Sequence, residues 1–119
     1  MAISKGDIVL VNFPFTDLSQ TKLRPALVLW LSRTGNDVTL CAITSQNISN
    51  VNLEEFVIDA SDPEFTNTGL RVSSKVRVTR IATLNHLLVA RKLGKLSSKQ
   101  VQVLNATMIQ AFQLIPHPG

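Results

Sequence analysis

From its sixth residue the chain alternates between short apolar runs and polar, turn-forming interruptions, and the lengths of those runs predict strands. Residues 6–13 form the first: Ile8, Val9, Leu10 and Val11 are the β-branched or apolar residues of a largely buried strand. Pro14, Thr16, Asp17 and Ser19 supply turn chemistry, so residues 14–24 read as a loop, with Phe13 and Phe15 packing beneath it. Such loops often fold over active sites. Pro25 has a fixed φ and no N–H, which suits a strand's first residue or an edge. Residues 26–32 are the second strand, and Arg24 stands at its junction with the loop, where a side chain is held rigidly yet points outward. Residues 33–37 make a turn in which Gly35 and Asn36 tolerate positive φ. Residues 38–44 return as the third strand of a hairpin. Trp30, within the second strand, reads as a core or interface residue.

Residues 45–52 are polar and read as a mobile loop. Residues 55–58 form a short strand, and residues 59–69, rich in Asp, Pro, Asn, Thr and Gly, another loop. Over residues 72–83 the pattern alternates, with Val76, Val78 and Arg80 on one face and Arg77, Thr79 and Ile81 on the other. Residues 84–88 read as one turn of helix, and residues 89–96 as a last strand broken by Gly94. Ser97, with Gln100 three residues on, is a capping-box pattern that opens a helix. Val101, Leu104, Met108, Phe112 and Ile115 give it one apolar face, and Pro116 and Pro118 end it. Several short strands followed by one helix indicate an α+β chain, mostly antiparallel, as a small bent barrel with a helix packed on it.

The length, 119 residues, suits one domain over residues 1–119 and a core that needs no disulfide or metal. Cys41 is the single cysteine and lies in an apolar run, which reads as a buried thiol. Lys5, Gly6 and Asp7 interrupt any leader-like start, and no apolar run approaches the roughly 20 residues that span a bilayer. A soluble cytoplasmic protein, with no membrane partner, is the expectation. The net charge of +4 is unevenly laid out: up to Glu64 the chain carries −4, and beyond it +8 with no acidic residue. That asymmetry points to a polyanion or an acidic protein partner.

The sequence holds no metal motif and no phosphate loop, so no cofactor and no metal is implied. His86 and His117 are isolated, and no carboxylates are paired in a suitable context. What remains is Arg24 with Thr44. An arginine offers a planar, permanently charged fork to phosphate oxygens, and a threonine hydroxyl adds a further donor. The lesser alternative is a structural Arg24 paired with Asp7 or Asp17, and a Thr44 that is an ordinary residue at a strand end.

Gly6-Asp7 with its hydrophobic strand, the loop closing on Arg24-Pro25, and Ala42-Ile43-Thr44-Ser45-Gln46 together resemble the MazF/PemK toxins, in a PemK-like subgroup. These are small ribonucleases of toxin–antitoxin modules. The resemblance runs from about Gly6 to about Leu114 and weakens after Ser74. It implies an SH3-like antiparallel β-barrel with a C-terminal helix (CcdB/PemK-like), usually a homodimer. It implies a sequence-specific, metal-independent endoribonuclease that cuts single-stranded RNA by attack of its own 2′-hydroxyl. It also implies a cognate antitoxin, and the basic second part suits an acidic, partly disordered one. By the same resemblance Arg24 and Thr44 act at the scissile phosphate with Arg77 as a third catalytic residue, while Lys22, Ser45, Gln46 and Arg80 contact RNA.

The chain departs from the family pattern in places. Thr79 stands where some members carry an assisting Asp, Ala82 replaces the usual arginine of that strand, and Arg80 stands where Gln is common. Residues 16–23 lack the usual glycines. These departures keep open an inactive nucleic-acid-binding or regulatory module of the same fold. A gyrase-directed toxin is a further alternative, and it would act through the C-terminal helix near Phe112 and Ile115.

Overall fold

Alternation on the strands sorts the apolar residues onto two sides of one antiparallel sheet, and each side has its own core. The structure, a computed structural model, describes residues 2–12 and 22–114. Phe13, Phe15, Asp17, Ile115, Pro116, His117 and Pro118 lie outside that range, so the expectations for the first loop and the helix's final stop are outside the described residues. The strands are β1 (Asp7–Val11), β2 (Arg24–Leu31), β3 (Asp37–Thr44), β4 (Glu55–Ile58), β5 (Ser74–Asn85) and β6 (Val89–Lys95). They lie in the order β4-β5-β3-β2-β1-β6. The helix α1 (Ser98–Phe112) follows.

One side buries Ile8, Leu27, Leu29, Cys41, Ile43, Phe56, Ile58, Val76 and Val78 against Leu96 and Leu104, so it is the side the helix covers. The other buries Val9, Val11, Ala26, Val28, Val38, Leu40 and Val89. The capping box forms as the sequence predicts. Ser97 Oγ accepts from the Gln100 amide at 3.1 Å, and Gln100 Oε1 accepts from the Ser97 amide at 2.8 Å. Val101, Leu104 and Met108 face the core, but Ala111 joins them in place of Phe112, which is 40% exposed.

Two strand edges are tied by a close backbone approach. Residues 59–69, expected as a plain loop, contain a 3-10 turn (Phe65–Thr68) that ends at Gly69, φ 72°. A side chain at Gly69 would strike the backbone of Leu93, and one at Gly94 the backbone of Asn67 and Thr68. Gly94 therefore does not break β6. It lets the connection that follows β4 press onto β6, with the sheet bent round between them.

The largest departure from the expected alternation is in β5. Cys41 pairs with Ile81, but Ala42 pairs with Arg77, so Val78, Thr79 and Arg80 have no counterpart on β3. This wide bulge bends the strand and shifts its parity. Ile81 consequently packs with Val76 and Val78 on the helix side, not with Arg77 and Thr79. Smaller differences follow from local bonding. In the hairpin turn Gly35 takes a φ of 75° but Asn36 does not; its carbonyl accepts from the His86 amide at 2.8 Å. Leu84 and Asn85 stay in β5, so the expected helical turn is reduced to His86–Leu88. Trp30 is 51% exposed and is not core.

Candidate active site

The site is a row of polar side chains where the second core runs out. On that side of the sheet Val9 pairs with Ala26, and Val11 with Arg24. Ala26 pairs with Ala42 in the β2–β3 register, which, continued two residues, sets Arg24 opposite Thr44. Cross-strand neighbours are about 5 Å apart at Cα. On β5, Arg77 pairs with Ala42 and Lys75 with Thr44. On β4, Glu55 pairs with Arg77 and Val57 with Lys75. Arg24, Thr44, Lys75, Arg77 and Glu55 thus share one face, directly beyond the apolar Val9, Ala26 and Ala42. The sequence predicts three of these five, and the structure brings those three together.

Their bonding differs sharply. Arg24 is the exposed first residue of β2, and among the described residues its side chain makes no ion pair or hydrogen bond. The alternative pairing with Asp7 fails, because Asp7 is engaged by Lys92 at 3.3 Å and by the Ser4 amide at 2.8 Å; Asp17 lies outside the described residues. Thr44 Oγ1 accepts from the Gln46 amide at 3.1 Å. That bond uses the oxygen as acceptor, and among the described residues the hydroxyl hydrogen has no acceptor, which leaves it able to donate. It also orders the start of the polar loop, placing exposed Ser45 and Gln46 next to the row.

Glu55 and Lys75 were not anticipated. Glu55 is nearly buried, its side chain 4% exposed, and binds Lys75 Nζ at 3.1 Å and Arg77 Nε at 2.9 Å. Lys75 Nζ also donates to the Asn50 carbonyl at 2.9 Å. Glu55 Oε1 accepts from the Asn52 amide at 3.3 Å. Burial alone would push the Glu55 carboxyl up, but the bonds from Lys75, Asn52 and Arg77 together hold it below the ordinary carboxylate range. A signal was present in the sequence: Lys75 and Arg77 are two apart on one predicted strand, and Glu55 opens the preceding one. Alternation puts both cations on one face but does not say which strand lies beside them.

Of the other expected RNA contacts, Lys22 is exposed two residues before Arg24. Arg80 is exposed in the β5 bulge and takes no part in the register of the Thr44 row. The basic half of the chain is also divided: Lys75 and Arg77 join the row, whereas Arg91, Lys92 and Lys95 lie on β6 at the far end of the strand order. His86 Nδ1 lies 3.2 Å from the Asn36 carbonyl, beside the hairpin turn and away from this row. Among the described residues no three His, Cys, Asp or Glu side chains cluster as a metal site requires. No described helix is long and apolar enough to cross a membrane.

Two outward-facing arginines and a threonine hydroxyl, backed by a buried Lys75–Glu55 pair, suit a phosphate with developing charge. The family model of the PemK-like, MazF-like toxins of type II toxin–antitoxin systems matches residues 4–112. No curated protein matches the chain in sequence. Among solved structures, similar ones include a mycobacterial endoribonuclease in complex with its cognate antitoxin (TM-score 0.72, 18% identity, 98% of this chain and 100% of that one). Another is the Mycobacterium tuberculosis toxin MazF-mt6 (TM-score 0.70, 24% identity, 92% and 99%). A third is an endoribonuclease from mycobacterial species (TM-score 0.69, 18% identity, 99% and 97%). At these identities the likeness establishes the fold, which is the α+β barrel-and-helix architecture the sequence predicts.

Proposed function

Since the chain belongs to the PemK-like, MazF-like toxins of type II toxin–antitoxin systems, we propose that it is an endoribonuclease that cuts single-stranded RNA at the Arg24–Thr44 row without a metal. The observation that carries the reading is the register that sets Arg24 opposite Thr44, with Arg77 on the next strand. The 2′-hydroxyl of one nucleotide attacks its own 3′ phosphorus. The P–O2′ bond forms and the P–O5′ bond breaks. The 2′ proton passes to solvent, and the departing 5′ oxygen takes one up. Arg24 and Arg77 neutralise the phosphorane oxygens through their N–H forks, and the Thr44 hydroxyl adds a donor. An arginine is a poor general base, so the role is electrostatic. Lys22, Ser45 and Gln46 border the row and contact the flanking nucleotides, whose bases are read unstacked. Arg80, off the row, would contact RNA further along the strand. The same reading includes a homodimer, an acidic, partly disordered antitoxin competing for the cationic row, and action in the cytoplasm.

The test is to incubate purified protein with long single-stranded RNAs in excess EDTA, beside Arg24→Ala. Discrete fragments from the wild type alone are expected. A folded Arg24→Ala protein that cuts like the wild type overturns the site. Salt-sensitive binding with no cleavage of any RNA replaces the enzyme with a binding module.

A further inference from the structure

Resting on the ribonuclease reading, we infer that Glu55 is a positioning residue that sets Arg77 and the polar loop of residues 45–54 against the scissile phosphate. Its two carboxylate oxygens have separate tasks. Oε2 takes Arg77 through Nε, at 2.9 Å. That choice of nitrogen leaves the terminal Nη pair, the part of the fork that fits phosphate oxygens, uncommitted among the described residues. The Arg77 side chain is 37% exposed while that of Glu55 is 4% exposed, so the guanidinium is held from beneath and faces outward. Oε1 takes Lys75 Nζ at 3.1 Å and the Asn52 amide at 3.3 Å. Lys75 in turn holds the Asn50 carbonyl at 2.9 Å. One carboxylate therefore fixes a cation on β5 and, at Asn50 and Asn52, the second half of the loop leading from Thr44, Ser45 and Gln46 back to β4.

A buried ionic cluster is a weak way to gain stability, because desolvation offsets most of the attraction and an apolar side chain would serve as well. What it gives is geometry, and geometry is what a preorganised donor set needs. The carboxylate also lies behind Arg77, so it orients the guanidinium while cancelling only part of the field that a strand of phosphates meets. Its burial in the charged form, held there by three donors, fits this role.

The experiment separates kcat from KM in cleavage of an RNA substrate by wild type, Arg24→Ala, Glu55→Gln and the double variant Glu55→Gln/Lys75→Met, with folding checked by circular dichroism. The double variant is included because Glu55→Gln alone leaves the buried Lys75 ammonium unpaired, which is enough to unfold a small domain. Glu55→Gln removes a negative charge, so RNA binding should hold or tighten. The expected result is kcat lower by roughly a hundredfold in both folded variants, the scale of a misplacement of about 1 Å, with KM unchanged or reduced for Glu55→Gln and unchanged or raised for the double variant, which also loses a cation. Rates are referred to the folded fraction read by circular dichroism, so that impaired folding does not count as a lower kcat. A folded Glu55 variant with wild-type kcat, or one that changes only by a raised KM, overturns the inference while the ribonuclease reading stands. Failure of both variants to fold assigns Glu55 to the fold and also overturns it. A wild type that cuts no RNA removes the ribonuclease reading itself, and this inference with it.

Discussion

Thr44 and Cys41 lie three residues apart on β3 and face opposite sides of the sheet, and each makes a residue-level prediction. Thr44→Val keeps the shape and removes the hydroxyl. It should lower cleavage on the order of a hundredfold, the usual loss for one phosphate-facing donor, with an unchanged unfolding curve. The Cys41 thiol is pushed up to about 12 by burial. Its native pKa lies above that of the unfolded chain, so between about pH 9 and 12 the unfolded state has lost the proton that the native state keeps. Stability should therefore be full below that window and fall as pH rises through it, as urea midpoints at pH 8 and pH 10.5 would read. The same burial makes Cys41 inert to thiol reagents until the chain opens. Glu55 behaves in the opposite sense. Its stabilising contribution is present above the ordinary carboxylate range and is lost as pH falls through its lowered native value. Residue chemistry is the most legible layer of the sequence: residue type, strand end and the family resemblance single out Arg24 and Thr44, which the strand register sets on one face of the sheet. Glu55 was missed because a glutamate opening a short strand looks solvated until the neighbouring strand is known.

At the level of elements, periodicity identified what was local and missed what was not. The β2–β3 hairpin and the capping box of α1 depend on residues within a few positions of one another, and both appear as expected. Ser97→Ala should remove the cap and cost about 1 kcal/mol in a urea titration. The bulge at residues 78–80 was invisible because an alternating pattern has no mark for a parity change when both flanks alternate. Ile81 and Ala82 are side by side, and only the pairing with β3 decides which of them faces the helix. Gly94 was misread for a related reason. A glycine in a strand signals either interruption or close approach, and only the position of the turn at Phe65–Thr68 shows that it is the second. Gly94→Ala would place a methyl group against the backbone of Asn67 and Thr68. It should destabilise the chain far more than Gly35→Ala, whose added carbon meets nothing nearby.

For the whole molecule, the charge imbalance along the chain overstated the contiguity of the basic surface. Lys75 and Arg77 belong to the row, but β6 carries Arg91, Lys92 and Lys95 elsewhere, and Lys92 is engaged by Asp7. RNA affinity should accordingly show a modest salt dependence. For single strands each phosphate neutralised contributes a slope of roughly −0.7 in log K against log salt. Arg24→Ala should flatten that slope by about one such unit, measured by fluorescence anisotropy on an uncut RNA.

The strand order has a consequence for how the chain comes into being. β2, β3, β4 and β5, which carry the Arg24–Thr44 row, are consecutive in sequence and can pair as they are made. β1 cannot be completed in the same way, because its second edge is filled by β6, with Asp7 against Lys95, almost the whole chain later. During synthesis the first strand therefore waits with one edge bare while the face with Arg24 and Thr44 is already assembled, and an open edge invites pairing with another chain. A nascent chain arrested at residue 88 should accordingly form aggregates in sedimentation while the full chain stays dispersed. Refolding should be limited by this last closure, on the milliseconds-to-seconds scale of long-range β pairing.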